Sequence, residues 1–304
     1  MVKPIEPFEL LALFDDEHLQ LSRTQQAQNQ QRQQDLKILV VEDTPINQKV
    51  LRNQLTTLGY SEPTCVGNGL DALDLLERQT YDIVLMDCLM PVLDGYRTTQ
   101  RLRDREGEHR HTPIVAMTAN AMEGDREQCL AAGMDDYISK PVDLQILAAI
   151  LDRWNPYEKT KTLPQEQTLP DDSYKSPENF SKPIVLPTQP ATASERPPLD
   201  FDRLHAITDG DLEFQQELLE TFTEDVVGCV AKMRAALDAA DTHELACIAH
   251  QIKGASSTAA ILTMPDIAKR IEMQAKENQL EGVNELVTEL EVILDRVKAF
   301  ALKC

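Results

Sequence analysis

Between residues 37 and 154, short apolar runs alternate with amphipathic segments. Uninterrupted runs of Ile, Val and Leu between polar turns are typical of strands buried on both faces. The longer segments between them repeat apolar residues at helical spacing. This alternation predicts right-handed crossovers and a doubly wound α/β domain with a five-stranded parallel sheet. The predicted strands are 37–41, 64–66, 82–86, 113–117 and 137–139, and the clearest helices are 46–58 and 70–78.

Residues 199–304 follow a helical pattern throughout. Four segments each carry an apolar stripe, and a break at 278–282 separates the last two. Asp241 and Thr242 can cap the second segment. Four amphipathic helices with short connections predict a separate all-α four-helix bundle. The predicted helices are 213–239, 243–259, 264–276 and 283–302.

Two polar stretches flank these domains. Nine of the 17 prolines lie between Pro156 and Pro198, in a stretch rich in Thr, Ser, Gln and Glu. Such a composition buries too little apolar surface to fold, which predicts a flexible linker. The predicted organisation is a Gln-rich polar extension (1–35), an α/β domain (36–154), a linker (155–198) and a helical bundle (199–304).

Charge and composition narrow the class of protein. The net charge is −21, which disfavours a protein that binds nucleic acid or anionic membranes through clustered Lys and Arg. No apolar stretch is long enough to cross a bilayer, and no signal segment follows Met1. None of the six cysteines forms a C-x-x-C pair, so we expect free thiols in a reducing cytoplasm.

Polar side chains gather where the predicted strands end, which is where functional groups of open α/β sheets lie. Glu42 and Asp43 follow the first strand, Asp87 the third, Thr118 the fourth and Lys140 the fifth. Three converging carboxylates repel one another unless a cation joins them, and Mg²⁺ suits oxygen ligands of this kind. A metal, an ammonium group and a hydroxyl around one carboxylate can stabilise a phosphoryl group in transfer.

Residues 37–154 resemble the receiver domain of two-component response regulators, which has a flavodoxin-like fold. The matching stretches are KILVVEDTPINQKV, DIVLMDCLMPVLDGYRTT, PIVAMTANAM and GMDDYISKPV. The resemblance implies that Asp87 is the phosphoacceptor and that Asp43 and Asp87 ligate Mg²⁺. The backbone carbonyl of Leu89 would complete the protein ligands, with Glu42 acting through water.

The same resemblance assigns roles around the phosphoryl group. Lys140 would contact that group, and the Lys140–Pro141 peptide bond is expected to be cis. Thr118 and Tyr137 resemble the switch pair, in which the hydroxyl moves to the phosphoryl oxygen and the ring turns inward.

His250 lies in the second predicted helix of the bundle. It is about 200° around the helix from Ile248 and Ile252, two residues of the buried stripe, so we expect it to face solvent. The stretch IAHQIKGASS resembles the phosphoacceptor motif of histidine-containing phosphotransfer (Hpt) domains, and the resemblance extends over 199–304. It implies that His250 is the phosphorylated nucleophile, that Lys253 screens the charge and that Gly254 permits close approach of a receiver. Hpt domains often have glycine where this chain has Ala260.

No P-loop or kinase-type nucleotide motif occurs in the sequence, so we expect the chain to receive phosphoryl groups rather than draw them from ATP. The resemblances suggest a phosphorelay intermediate. An upstream histidine kinase or phosphotransfer protein would load Asp87, and His250 would pass phosphoryl groups to or from a downstream response regulator. Whether Asp87 exchanges with His250 of the same chain stays open at this point.

Two alternatives remain. The protein could be a phosphorylation-controlled interaction scaffold or a phosphate sink. It could also be the C-terminal part of a hybrid histidine kinase, although an initiating Met1 favours a free-standing protein.

A long-lived phosphoaspartate is predicted from the residues around Asp87. In receiver domains, the second residues after the phosphoacceptor and after the switch threonine tune hydrolysis, and here they are Leu89 and Asn120. The Leu89 side chain cannot hold an attacking water, so we expect slower hydrolysis than in receivers with polar groups at both positions. The decay of labelled protein in the presence of Mg²⁺ measures this lifetime, and hydrolysis within a few seconds would contradict it.

Overall fold

The computed structural model describes residues 34–107, 110–118, 123–156 and 198–301. The predicted extension (1–35) and linker (155–198) therefore lie almost entirely outside the described residues. In the first domain the strands are β1 (Ile38–Val41), β2 (Thr64–Val66), β3 (Ile83–Asp87), β4 (Ile114–Thr118) and β5 (Asp136–Ser139). The helices are α1 (Pro45–Thr57), α2 (Gly69–Arg78), α3 (Gly95–Glu106), α4 (Glu123–Ala131) and α5 (Leu144–Trp154).

The five strands form one parallel sheet in the order β2-β1-β3-β4-β5, which confirms the predicted doubly wound α/β class. Every residue of β1, β3 and β4 is buried, as continuous apolar runs require. The register pairs Val41 with Met86, Asp87 with Met117 and Thr118 with Ser139. The carboxyl ends of these strands therefore lie at one edge of the sheet, where the acidic residues were predicted to meet.

The second domain contains α6 (Phe201–Ile207), α7 (Leu212–Asp238), α8 (Thr242–Thr258), α9 (Met264–Lys276) and α10 (Val283–Ala301). Each of the four long helices packs against two of the others around a shared apolar core, which forms the predicted four-helix bundle. The short helix α6 was not predicted. Asp200 caps it by accepting a hydrogen bond from the Arg203 amide, and Leu204 anchors it in the core.

The turn after α8 contains Ala260, the position at which Hpt domains often have glycine. Asp241 caps the start of α8, as predicted, by accepting a hydrogen bond from the Glu244 amide. After Thr258 the chain turns out of the helix, and Ala260 takes a φ of 56°. Glycine adopts this left-handed conformation without steric cost, so Ala260 keeps the local backbone shape expected of a glycine there.

Helix α1 is buried on two sides. Leu51 and Leu55 pack against the sheet, as the helices of an α/β domain do. Ile46 and Val50 instead lie in the apolar core of the bundle, and α1 contacts both α7 and α8. The two domains therefore share a packed interface along α1.

Phe222 on α7 tests the packing of the bundle. Its side chain is fully buried, so we expect Phe222→Ala to destabilise the bundle by about 3–5 kcal/mol through lost burial and the cavity left behind. Urea denaturation followed by circular dichroism measures the change. Val227→Ala on the same helix is the matched control, because Val227 is exposed and should lose less than about 0.5 kcal/mol. Equal losses for both variants would contradict the described core.

Candidate functional site

Three carboxylates meet at the carboxyl edge of the sheet. Glu42 and Asp43 lie in the turn from β1 to α1, and Asp87 ends β3. One carboxylate oxygen from each lies within 4.8 Å of the other two. Helix α3 begins close beside Asp87, and a Cβ atom on Gly95 would lie 2.1 Å from the Asp87 carbonyl oxygen. Only glycine therefore allows the backbone to pass so close to Asp87.

Lys140 enters this cluster from the loop after β5. Its Nζ lies 2.6 Å from Glu42 Oε2 and 2.7 Å from Asp87 Oδ2. The Lys140–Pro141 bond is cis, as expected, and the Lys140 amide donates a hydrogen bond of 2.7 Å to the Thr118 carbonyl. The ammonium group of Lys140 therefore lies between Glu42 and Asp87 and contacts both.

Burial dominates the electrostatics of the cluster. Burial raises the pKa of Asp87 to about 8, with Glu42 and Asp43 adding to the increase and Lys140 opposing it. Burial also raises the pKa of Asp43. For Lys140, burial would lower the pKa, but the Asp87 and Glu42 carboxylates outweigh it and raise the pKa above its ordinary value. One buried ammonium cannot neutralise three carboxylates.

The donor set fits a hard divalent cation. All three groups offer carboxylate oxygens, the ligands that Mg²⁺ takes in proteins alongside water and phosphate oxygens. Burial, together with the charge of the neighbouring carboxylates, raises the pKa values of Asp43 and Asp87, and a divalent ion would offset that negative charge. Asp43 and Asp87 could ligate such an ion directly. Glu42 is already held by Lys140 and by the Asn47 amide, which suits an indirect role.

The other residues predicted around Asp87 lie at or near this edge. Thr118 is buried at the end of β4. Tyr137 is half-buried against the apolar cluster on one face of the sheet, with the Arg126 guanidinium 6.0 Å from its ring centroid. The Leu89 amide donates a hydrogen bond of 3.2 Å to Asp87 Oδ1, and the Leu89 side chain is exposed. The residue Asn120 lies outside the described residues.

His250 occupies α8 but does not face free solvent, so that prediction was wrong. Its side chain is half-buried and lines a cavity whose opposite wall belongs to the first domain. Periodicity within α8 places His250 off the core of the bundle correctly. It cannot show that α1 of another domain packs against the same side of the helix.

Glu272 on α9 holds the imidazole of His250. Glu272 Oε1 lies 3.0 Å from His250 Nδ1, and Glu272 accepts hydrogen bonds of 2.7 Å from Lys253 and Lys276. Burial alone would raise the pKa of Glu272, but hydrogen bonds from His250, Lys253 and Lys276 together lower it well below its usual range. An ionised carboxylate only accepts hydrogen bonds, so Nδ1 carries the proton. The lone pair of neutral His250 therefore lies on Nε2.

Lys253 binds to the same carboxylate. Its Nζ is 2.7 Å from Glu272 Oε2 and 3.4 Å from His250 Nδ1. The resemblance assigned Lys253 a role in screening charge on His250, and this position beside the ring is compatible with that role.

One cavity of about 230 Å³ lies between the two predicted centres. Its lining includes Asp43, Asp87 and Lys140 from the sheet edge and His250 and Lys253 from the bundle. The two groups of residues that the sequence predicted separately, on different domains, therefore share a single space.

Hydrogen bonds cross between the domains beside this cavity. Gln251 Nε2 donates to Asp43 Oδ2, and Thr258 Oγ1 donates to Asn47 Oδ1 at 2.6 Å. Asn47 Nδ2 in turn donates to Glu42 Oε1 at 2.7 Å. Through Glu42 and Lys140 this chain of polar contacts extends from the bundle to Asp87.

Sequence reasoning missed Glu272, Asn47 and Gln251. Glu272 lies one turn after Ala268, at the edge of the buried stripe of α9, and a glutamate at such an edge is usually exposed. Asn47 lies at the start of the predicted helix 46–58, and Gln251 lies next to His250. The partner of each is more than 200 residues away in sequence. Their roles depend on the contact between domains, which no local pattern reports.

Family models match the two domains separately. Residues 38–152 match the family model of the response regulator receiver domain, and residues 217–300 match that of the Hpt domain. The chain therefore carries a receiver domain and an Hpt domain. Among the described residues, no helix has the length and apolar character to cross a membrane.

Known relatives belong to sensor kinases. The chain is 46% identical over 117 residues to the sensor histidine kinase RcsC of Salmonella typhimurium, covering 38% of this chain and 12% of that protein. It is 26% identical over 267 residues to the sensor protein GacS of Pseudomonas syringae, covering 87% of this chain and 27% of the relative. The chain thus spans only a small part of the length of these relatives.

A solved receiver domain is also similar. It comes from the sensor histidine kinase PA1611 of Pseudomonas aeruginosa PAO1, and that structure has a magnesium ion coordinated in the active site cleft. The two are 51% identical, with a TM-score of 0.36, over 39% of this chain and 96% of that one.

Glu272→Gln tests the electrostatics around His250. At neutral pH we expect a loss of about 2 kcal/mol in the free energy of unfolding of the bundle, because charge-assisted hydrogen bonds to buried Glu272 are lost. The folded-state pKa of Glu272 is lowered, so its contribution is present above the ordinary value of 4.5 and declines as pH falls below it. Urea denaturation across this pH range measures the difference.

Glu285→Gln is the matched control for that series. Glu285 is exposed on α10 and should change the free energy of unfolding by less than about 0.5 kcal/mol at any of these pH values. A Glu272→Gln effect that stays constant as the pH is lowered would contradict the described ion pairs.

Proposed function

We propose that Asp87 and His250 are the two phosphoryl carriers of this phosphorelay protein. The observation that supports this is the single cavity that both side chains line. Asp87 would accept a phosphoryl group from an upstream histidine kinase or phosphotransfer protein. His250 would carry a phosphoryl group to or from receiver aspartates, including those of a downstream response regulator.

The shared cavity supports direct transfer between an acyl phosphate on Asp87 and the imidazole of His250. The Nε2 lone pair forms the new P–N bond as the P–O bond to Asp87 breaks, and the electron pair leaves with the Asp87 carboxylate. No proton moves, because Nδ1 already carries one against Glu272. Glu272 stabilises the positive charge of the phosphoimidazole, and the reverse step uses the same atoms.

Lys140 would balance charge at Asp87. Its ammonium group, 2.7 Å from Asp87 Oδ2, can contact the phosphoryl group and the carboxylate that departs from it. Asp43 and Asp87 would hold Mg²⁺, with the Leu89 carbonyl as a further ligand and Glu42 acting through water. When bound, Mg²⁺ supplies positive charge that stabilises the phosphoryl oxygens during transfer.

We further propose that Thr118 and Tyr137 report the phosphorylation state. Thr118 is buried at the end of β4, at the same sheet edge as Asp87, and Tyr137 is half-buried nearby on β5. Movement of the Thr118 hydroxyl toward a phosphoryl oxygen would leave space that the Tyr137 ring can fill. This proposal extends the family resemblance to these two positions.

Tracing of phosphoryl label tests the two carriers. With a radiolabelled acyl phosphate and Mg²⁺, we expect label on Asp87 and then on His250, distinguished by the acid stability of phosphoaspartate and the base stability of phosphohistidine. Asp87→Ala should abolish labelling by the acyl phosphate, and His250→Gln should keep the label on Asp87. Removal of Mg²⁺ with EDTA should abolish labelling of Asp87.

The matched controls are Asp74→Ala and His243→Gln, which change exposed residues away from the cavity. Both should behave as the unchanged chain. Labelling that survives in Asp87→Ala at the same level would contradict the assignment of the phosphoacceptor.

A further inference from the structure

We propose that the docked arrangement is a closed state of this protein, in which Asp87 and His250 of one chain can react with each other and with no other protein. The bundle must then leave α1 before an outside donor can load Asp87 or an outside receiver can discharge His250. This inference rests on the proposed function of both residues.

Burial of both centres supports the closed state. The side chain of Asp87 is 5% exposed and that of His250 is 18% exposed. Phosphoryl transfer requires the attacking atom to come within about 3–3.5 Å of the phosphorus in line with the leaving oxygen. An imidazole or carboxylate on another protein cannot come this close while the bundle covers the cavity. A small phosphodonor is not subject to that restriction.

The interface has the character of a specific contact. Ile46 and Val50 of α1 are buried in the core of the bundle. Beside them, Asn47 is hydrogen-bonded to Thr258, both being buried. Lys49 forms an ion pair of 2.7 Å with Glu217 of α7. Apolar burial with satisfied polar groups stabilises docking, so the closed state is expected to be well populated.

Gly254 provides a way to open the interface. It lies one turn after His250 on α8, and a Cβ atom there would be 3.8 Å from Asn47 Nδ2. An arginine there would begin in van der Waals contact with Asn47 and place a long, charged side chain between α8 and the first domain, so Gly254→Arg should weaken the docking of the two domains. Arginine favours helix more than glycine does, and the bundle itself should keep its fold.

The test uses two full-length chains, each with one carrier removed. The donor carries Asp87→Ala and Ile46→Glu, which frees its bundle, and is phosphorylated on His250 with phosphoramidate. The acceptor carries His250→Gln, with or without Gly254→Arg, so that its altered bundle takes no part in the reaction. The readout is the initial rate at which label reaches Asp87 of the acceptor in the presence of Mg²⁺.

We expect Gly254→Arg in the acceptor to raise this rate about tenfold or more, which corresponds to weakening of docking by about 1.4 kcal/mol. In a chain that keeps both carriers, the same substitution should slow transfer from Asp87 to His250. Opposite effects on the two reactions are the signature of a closed state. Amide hydrogen exchange in residues 45–57 should rise in the same variant, because α1 loses its cover.

Gly228→Arg is the matched control. Gly228 is exposed on α7, and a Cβ atom there would meet nothing within 4 Å, so neither rate should change. Equal acceptor rates with and without Gly254→Arg would overturn the closed state, as would the absence of any transfer to the opened acceptor. Labelling of the acceptor with a small acyl phosphate separates the two proposals, because its failure would instead refute Asp87 as the phosphoacceptor.

Discussion

A buried ammonium group between two buried carboxylates organises the site of this protein. Lys140 contacts both Glu42 and Asp87, and without it two carboxylates that are almost entirely removed from water would face each other uncompensated. The contact also joins the turn after β1, the end of β3 and the loop after β5. Each of the other proposed roles depends on this arrangement, because it fixes where the oxygens of Asp87 lie relative to the cavity and to His250.

Local sequence patterns were sufficient for the sheet and the four long helices. The apolar runs placed the strands within one residue at every end, because strands buried on both faces have continuous apolar sequences. The same patterns put Glu42, Asp43, Asp87 and Lys140 at strand ends, and the parallel topology then brings them together. Helix α6 was not predicted, because a helix of seven residues with one buried leucine is too short to show an apolar period.

Contacts between the two domains could not be predicted from the apolar pattern of either domain. Ile46 and Val50 read as ordinary apolar positions of a helix that packs on a sheet, yet they complete the core of the bundle. His250 was correctly predicted to lie off the core of the bundle. The prediction that it faces solvent was wrong, because the pattern of α8 does not show that the first domain packs on that side. Glu272 needed the packing of α9 against α8 to be recognised. In each case the partner is distant in sequence and belongs to a surface that forms only when the two folds meet.

Because α1 is buried on two sides, separating the receiver domain from the bundle would expose apolar surface on both. A receiver cut away from its bundle would present Ile46 and Val50 to water as part of an apolar strip, and the bundle would present the residues that surrounded them. Exposed apolar patches of this kind promote self-association. Each isolated domain is therefore expected to self-associate more than the intact chain does. Its solubility should increase when the other domain is added to the solution.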